Sequence, residues 1–180
     1  VNAVTLEELE SEAQIAPRLW PSEELAYLAG FLDGEGTFTV YSGETQGAIV
    51  YSALMSAGNN DKAVLAWIQQ AFGGKVWCVG GKAHCETTYQ WMIQEKSELI
   101  ALIPQLLPYL KTKNLQARLV LKYCIEFQHA RRGVVVTKED HELRNAYCVM
   151  FKELNARGKG STETKTNAIR LIVNSGILDL

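Results

Sequence analysis

Asp33 and Glu35, separated by a single glycine, stand at the end of the apolar, small-residue run LAYLAGFLDGEGTF from Leu25 to Phe38. Ser22, Glu23 and Glu24 read as an N-cap and an acidic first turn, so a helix is expected from about residue 22 to about Asp33. Glu35 would then lie just past a helix C-terminus, where the macrodipole is already negative and a carboxylate is disfavoured. A cation removes the conflict. Two such helices, crossing through the close contacts that Ala26, Ala29 and Gly30 permit, would bring paired carboxylates and bare backbone carbonyls around divalent metals. Oxygen-only ligation of this kind suits Mg²⁺.

Residues 28 to 36, LAGFLDGEG, resemble the signature of the LAGLIDADG homing endonucleases. Residues 105 to 127, QLLPYLKTKNLQARLVLKYCIEF, resemble that family's second recurrent segment, in which a lysine-bearing loop leads into a long helix. The resemblance extends over residues 22 to about 175. It implies that Glu35 is the metal-binding carboxylate, where the family usually has Asp, and that the backbone carbonyl of Gly34 assists it. Asp33 matches an acid that is more often structural, holding the helix end. Lys113, in the K-x-K of Lys111 and Lys113, matches an active-site cation able to polarise a scissile phosphate or tune the attacking water. Asp61 falls where the family often carries a residue near the metal-bound water, and it could equally cap the helix that follows it. One departure is Leu65, which stands where some single-motif relatives carry a basic residue.

The implied activity is that of a Mg²⁺-dependent, intron-encoded, site-specific endodeoxyribonuclease making a double-strand break with short 3′ overhangs at a long pseudo-palindromic target. The alternative is a non-cleaving nucleic-acid-binding protein such as an RNA splicing maturase. Retained Glu35 and Lys113 weigh against that alternative, because binding alone needs neither. The 180 residues hold one helix-acid motif. Single-motif relatives are homodimers, so the resemblance implies a twofold interface using Ala26, Ala29, Gly30 and Asp33.

The elements that must position these residues alternate along the chain. Residues 1 to 20 read as an acidic arm, followed by one domain over 21 to 180 that is 47% apolar and so has material for a full core. A strand at 37 to 41 should turn Phe38 and Val40 inward, and Thr37, Thr39 and Tyr41 outward. A second strand is expected at about 48 to 57, a helix from Asn60 or Asp61 to Phe72 closed by Gly73-Gly74, and a hairpin of Lys75 to Val79 with Cys85 to Ile93 around Gly80-Gly81. A helix broken at Pro104 and Pro108, a long helix from Asn114 to Gln128, and helices at 138 to 156 and 163 to 174 complete the reading. The expected fold is α+β, a four-stranded antiparallel, saddle-like sheet with helices on one face.

The open sheet face could lie in a DNA major groove. On it fall Thr37, Thr39, Tyr41, Ser52, Lys75, Lys82, His84, Glu86, Thr88 and Gln90. Trp20, Trp67, Trp77 and Trp91 occupy core-like positions. The net charge of −2 hides an asymmetry: residues 1 to 24 hold six acids against one base, whereas residues 111 to 170 hold 13 bases against six acids. That second stretch, including Lys111, Arg157, Lys159 and Lys165, would supply phosphate contacts. His141-Glu142 lacks the second histidine of a zinc helix. Cys78, Cys85, Cys124 and Cys148 show no C-x-x-C spacing and are expected as free thiols, with Cys78 and Cys85 able to pair across the Gly80-Gly81 turn in an oxidising compartment. With no apolar run of membrane length and no secretory or Arg-rich leader pattern, a soluble, intracellular protein without membrane contact is expected.

Overall fold

The computed structural model describes residues 18–79, 87–128 and 137–156. Helix α1 (Ser22–Glu35) runs into the hairpin β1 (Gly36–Thr45) and β2 (Ala48–Asn59), then α2 (Lys62–Phe72). Strands β3 (Lys75–Val79) and β4 (Thr88–Ile93) follow, then α3 (Lys96–Leu106), α4 (Asn114–Glu126) and α5 (Lys138–Leu154). The four strands form one antiparallel sheet in the order β1-β2-β4-β3. Lys82, His84, Glu86, Cys85 and the Gly80-Gly81 turn lie outside the described residues, as do Arg157, Lys159, Lys165, the arm before residue 18 and the expected helix at 163 to 174.

Alternation sets the two faces. Phe38 and Val40 on β1, Ala53, Met55 and Ala57 on β2, and Trp91 and Ile93 on β4 are buried toward the helices. The pairs Thr37↔Ser56 and Ser56↔Met92 then share the opposite face, because directly paired residues point the same way. Helix α1 contributes Leu25, Leu28, Ala29 and Leu32, an i, i+3, i+4, i+7 stripe, and α2 contributes Leu65, Ile68 and Phe72. Helix α4 is the central one, with Ala117, Leu119, Val120, Leu121, Tyr123 and Cys124 all buried. Burial pushes the Cys124 thiol up to about 12, which leaves it an unreactive packing group.

The local signals need five corrections. Ser22 is the first residue of α1 and not its cap: Pro21 holds the cap position and the Ser22 hydroxyl turns to Glu23. The helix runs two residues beyond Asp33, to Glu35 itself. Helix α3 passes through Pro104 and ends two residues later, because a proline in the last turn removes only one of the bonds a longer helix would need. Trp67 is 38% exposed, on the side of α2 away from Ile68, and stands edge-on to Tyr27 with ring centroids 5.1 Å apart. Trp77 faces outward, paired with Gln90 and half-buried.

Two anchors fix α2 on the sheet. Gly73 and Gly74 both have positive φ (83° and 79°), and a Cβ on Gly74 would stand 2.6 Å from the Met92 carbonyl oxygen. The Trp91 indole N–H donates to the Gly73 carbonyl at 2.8 Å. On the other side, Trp20 stacks on Phe72 and donates to the Ala71 carbonyl at 2.9 Å, so the chain before α1 is tied down from Arg18 onward.

Candidate active site and nucleic-acid face

The end of α1 is shaped by Gly36. Its N–H donates to the Leu32 carbonyl and its φ of −85° is open to any residue, so conformation is not what demands glycine there. Space is: a Cβ would lie 2.6 Å from Leu32 O and 2.7 Å from Leu32 Cα. Only glycine lets the chain pass from the last turn of α1 straight into β1, and this leaves Glu35 exposed at the rim where helix meets sheet. Gly36→Ala should therefore destabilise the fold by about 1–3 kcal/mol, the range for forced overpacking. Denaturant unfolding of the variant measures it, and an unchanged midpoint would mean that the turn relaxes freely.

Asp33 faces the loop before α4. Its carboxylate accepts from the backbone N–H groups of Lys111 (2.7 Å), Thr112 (3.1 Å) and Lys113 (3.0 Å), and from the Thr112 hydroxyl (3.0 Å). Burial alone would raise the Asp33 pKa, but the four hydrogen bonds from Lys111, Lys113 and Thr112 leave it lowered. Asp33 thus holds the helix end against the α4 entry, as the resemblance implies for the structural acid. Because the folded-state pKa is below the unfolded value of about 3.9, the stabilisation is fully present above that pH and is lost as pH falls through the folded-state pKa. Asp33→Asn should lose about 1–2 kcal/mol at neutral pH, allowing for solvent screening, and show a shallower acid limb in a stability-versus-pH profile. An acid limb identical to the parent's would remove the assignment.

Lys113 completes the joint from the other side. Its Nζ donates to the carbonyls of Leu32 (2.7 Å) and Gly36 (2.6 Å), placing a cation on the negative end of α1 beside Glu35 in the chain. Of the last-turn carbonyls, Leu32's takes Gly36 N and Lys113 Nζ, and Asp33's takes the Thr112 hydroxyl at 3.4 Å. The Gly34 carbonyl and the Glu35 carboxylate are further oxygens at this end. They fit a hard divalent cation by donor type, with no nitrogen or sulfur among them.

Asp61 caps α2, accepting from Ala63 N at 2.8 Å while its own N–H donates to the Asn59 side chain. Gly36 pairs with Ala57, so the Asn59 to Asp61 turn lies at the same end of the sheet as Glu35. Leu65 is fully buried. The leucine that stands where some single-motif relatives carry a basic residue packs in the protomer core.

Of the four expected interface residues, Ala26 and Gly30 are exposed, Ala29 belongs to the core at 0% exposure, and Asp33 is engaged by the 111–113 loop. The open stripe is Ala26, Gly30 and Gly34, four residues apart on one side of α1. A Cβ on Gly30 or Gly34 would meet nothing within 4 Å. Beside the stripe lies a surface pocket of about 470 Å³ lined by Tyr27, Ala63, Val64 and Trp67, with Glu23 and Glu24 at its edge.

The sheet face collects the remaining expected residues. Thr37, Thr39, Tyr41, Ser52, Lys75, Thr88 and Gln90 all fall on the side away from the helices. Lys111 is exposed on the neighbouring loop. Leu54, Met92 and Gln94 share that side, and the sequence reading missed them although the alternation through Ser52 and Gln90 reaches them. Gln94 donates to the Tyr41 hydroxyl at 2.6 Å. Among the described residues no three His, Cys, Asp or Glu side chains converge, and no helix is long and apolar enough to cross a membrane.

The family model described as LAGLIDADG endonuclease matches residues 28–125, more than half the chain. The chain belongs to the LAGLIDADG endonuclease family. Solved structures share the fold. The homing endonuclease I-CvuI, in complex with its target, superposes with a TM-score of 0.58 at 20% identity, over 86% of this chain and 96% of that one. The archaeal intron-encoded homing endonuclease I-Vdi141I, complexed with DNA, gives 0.60 at 16% identity, over 84% and 98%. The LAGLIDADG meganuclease I-CpaMI, bound to uncleaved DNA, gives 0.55 at 20%, over 82% of this chain but 49% of that one. No curated protein sequence matches the chain. This LAGLIDADG domain thus has the extent of a whole chain in the first two relatives and of half a chain in the third.

Proposed function

We propose that this LAGLIDADG protein is a homodimeric, divalent-metal-dependent homing endonuclease that hydrolyses one phosphodiester on each strand of a long DNA duplex. The observation that carries the reading is the open stripe of α1 ending in Glu35, a carboxylate with no hydrogen bond or ion pair to any described residue. One protomer offers only part of a metal site, and a second copy crossing at Gly30 and Gly34 brings the matching part. Glycines let the backbones approach, and the neighbouring pocket at Tyr27 and Trp67 adds apolar surface for the second copy to cover.

Within this site Glu35 and the Gly34 carbonyl would hold the metal. When bound, Mg²⁺ would stabilise the charge of the phosphoryl transition state and lower the pKa of water. The residues of the chain do the positioning. Asp33 and Lys113 fix the last turn of α1, Gly36 sets the exit angle, and the outward sheet face holds the duplex in register. The I-CvuI and I-Vdi141I structures, which contain DNA, support the polymer as partner. An RNA splicing maturase needs no exposed carboxylate at a dimer axis and is the weaker reading.

The test is plasmid cleavage with a library of candidate targets, with and without Mg²⁺, alongside sedimentation equilibrium. Linear product only with metal, from a dimeric protein, is expected. Cleavage by a monomer or cleavage in chelator would overturn the corresponding part.

A further inference from the structure

Among its described residues, the sheet face that the proposed function lays on DNA is nearly free of charge. The register assigns every outward position on the four strands, and among the described ones Lys75 is the only Lys, Arg, Asp or Glu. Apolar side chains stand where charges are usual on an open sheet. Val50 is 44% exposed and Val79 43%, with Leu54 and Met92 half-buried on the same side. The part of the hairpin furthest from Glu35 is the barest, where Tyr41 with Ser52, Gly43 with Val50 and Thr45 with Ala48 make the outward pairs.

Two amides stand on this face beside the hydroxyls of Thr37, Thr39, Tyr41, Ser52, Ser56 and Thr88. Gln90 donates to the Ser56 hydroxyl at 3.4 Å, and Gln94 donates to the Tyr41 hydroxyl at 2.6 Å. Each amide is thereby held at a fixed place, and each has a carbonyl oxygen and a second N–H to offer.

Base edges in the major groove differ in what they ask of a protein. Guanine, with O6 and N7, is matched best by Arg or Lys, adenine, with N6 and N7, by Gln or Asn, and the thymine methyl by an apolar contact. We infer that the half-site read by this sheet is A·T-rich, with Val50, Leu54 and Val79 packing on thymine methyls and Gln90 and Gln94 reading adenines. This rests on the proposed function and adds the chemistry of the substrate sequence to it. Phosphate attraction is then supplied from off the sheet, so discrimination and charge reside on different parts of the protomer.

The experiment separates the inference from the reading beneath it. The full chain is mixed with a random-sequence duplex library in Ca²⁺, bound duplexes are sequenced, and the consensus is resynthesised with deoxyuridine for thymidine at one position at a time. An A·T-rich consensus is expected in each half-site. Each contacted thymine should lose about fourfold in affinity on conversion to uracil, the factor that one buried methyl commands. Val50→Ala, at a position open to solvent, or Leu54→Ala, at a half-buried one, should erase that loss at its own base pair alone. A G·C-rich consensus, or uracil without effect, overturns the inference and leaves the endonuclease reading standing. Binding without any sequence enrichment overturns both, and would mark the apolar face as a surface for protein.

Discussion

Glu35→Gln loses cleavage by roughly a hundredfold to a thousandfold while target binding stays within about twofold of the parent. The estimate follows from the several kcal/mol that a metal-held charge contributes to a phosphoryl transition state. Gln keeps the volume and the hydrogen-bonding oxygen but removes the charge that retains the metal. The fold responds in the opposite sense. Glu35 closes a helix whose C-terminal end is already negative, so neutralising it should raise protomer stability by about 0.3–1 kcal/mol. A residue kept for structure would lose stability and activity together, so a thermal melt beside the cleavage assay separates the two cases. Parent-like cleavage by the variant would end the assignment of Glu35 as ligand.

Gly30→Leu should give a folded, monomeric and inactive protein. The site of the new side chain is empty in the protomer, with nothing within 4 Å of a Cβ. Replacing a mid-helix glycine should also stabilise α1 by up to about 1 kcal/mol. The loss therefore falls on assembly, since a leucine on each of two crossing helices holds their backbones apart. Sedimentation equilibrium should show the shift from dimer to monomer, and cleavage of both strands should disappear with it. A dimeric, active Gly30→Leu protein would place the interface elsewhere.

The sequence made the parts of the site with local signatures legible. The small-residue helix ending in two acids, the alternation that turns Thr37, Thr39 and Tyr41 outward, and the Gly73-Gly74 stop all depend on residues near one another. Ala29 was expected at the interface, although helical spacing places it in the core: Leu25, Leu28 and Leu32 put it on the buried stripe. The partners of Asp33 had no local signal. Nothing in the pattern around residue 33 says that its carboxylate will collect the amides of Lys111 to Lys113, because that pairing depends on how α3 and α4 pack beneath the sheet. Trp67 misled for a related reason. A large aromatic is usually inside, yet Trp67 is 38% exposed.

The joint between Asp33 and residues 111–113 closes a loop of 78 to 80 residues in sequence. Closing a loop of that length carries an entropic cost that nearby contacts do not, so the joint forms only once the intervening hairpins and helices have collapsed. During synthesis the acids of α1 emerge long before the segment that aims them. A nascent chain that stops short of Lys111 carries the acidic motif on an untethered helix end, and the brace forms only after the residues up to Lys113 have been made. Folding order thereby delays the fixing of the end of α1, by the distance along the chain between Asp33 and its brace.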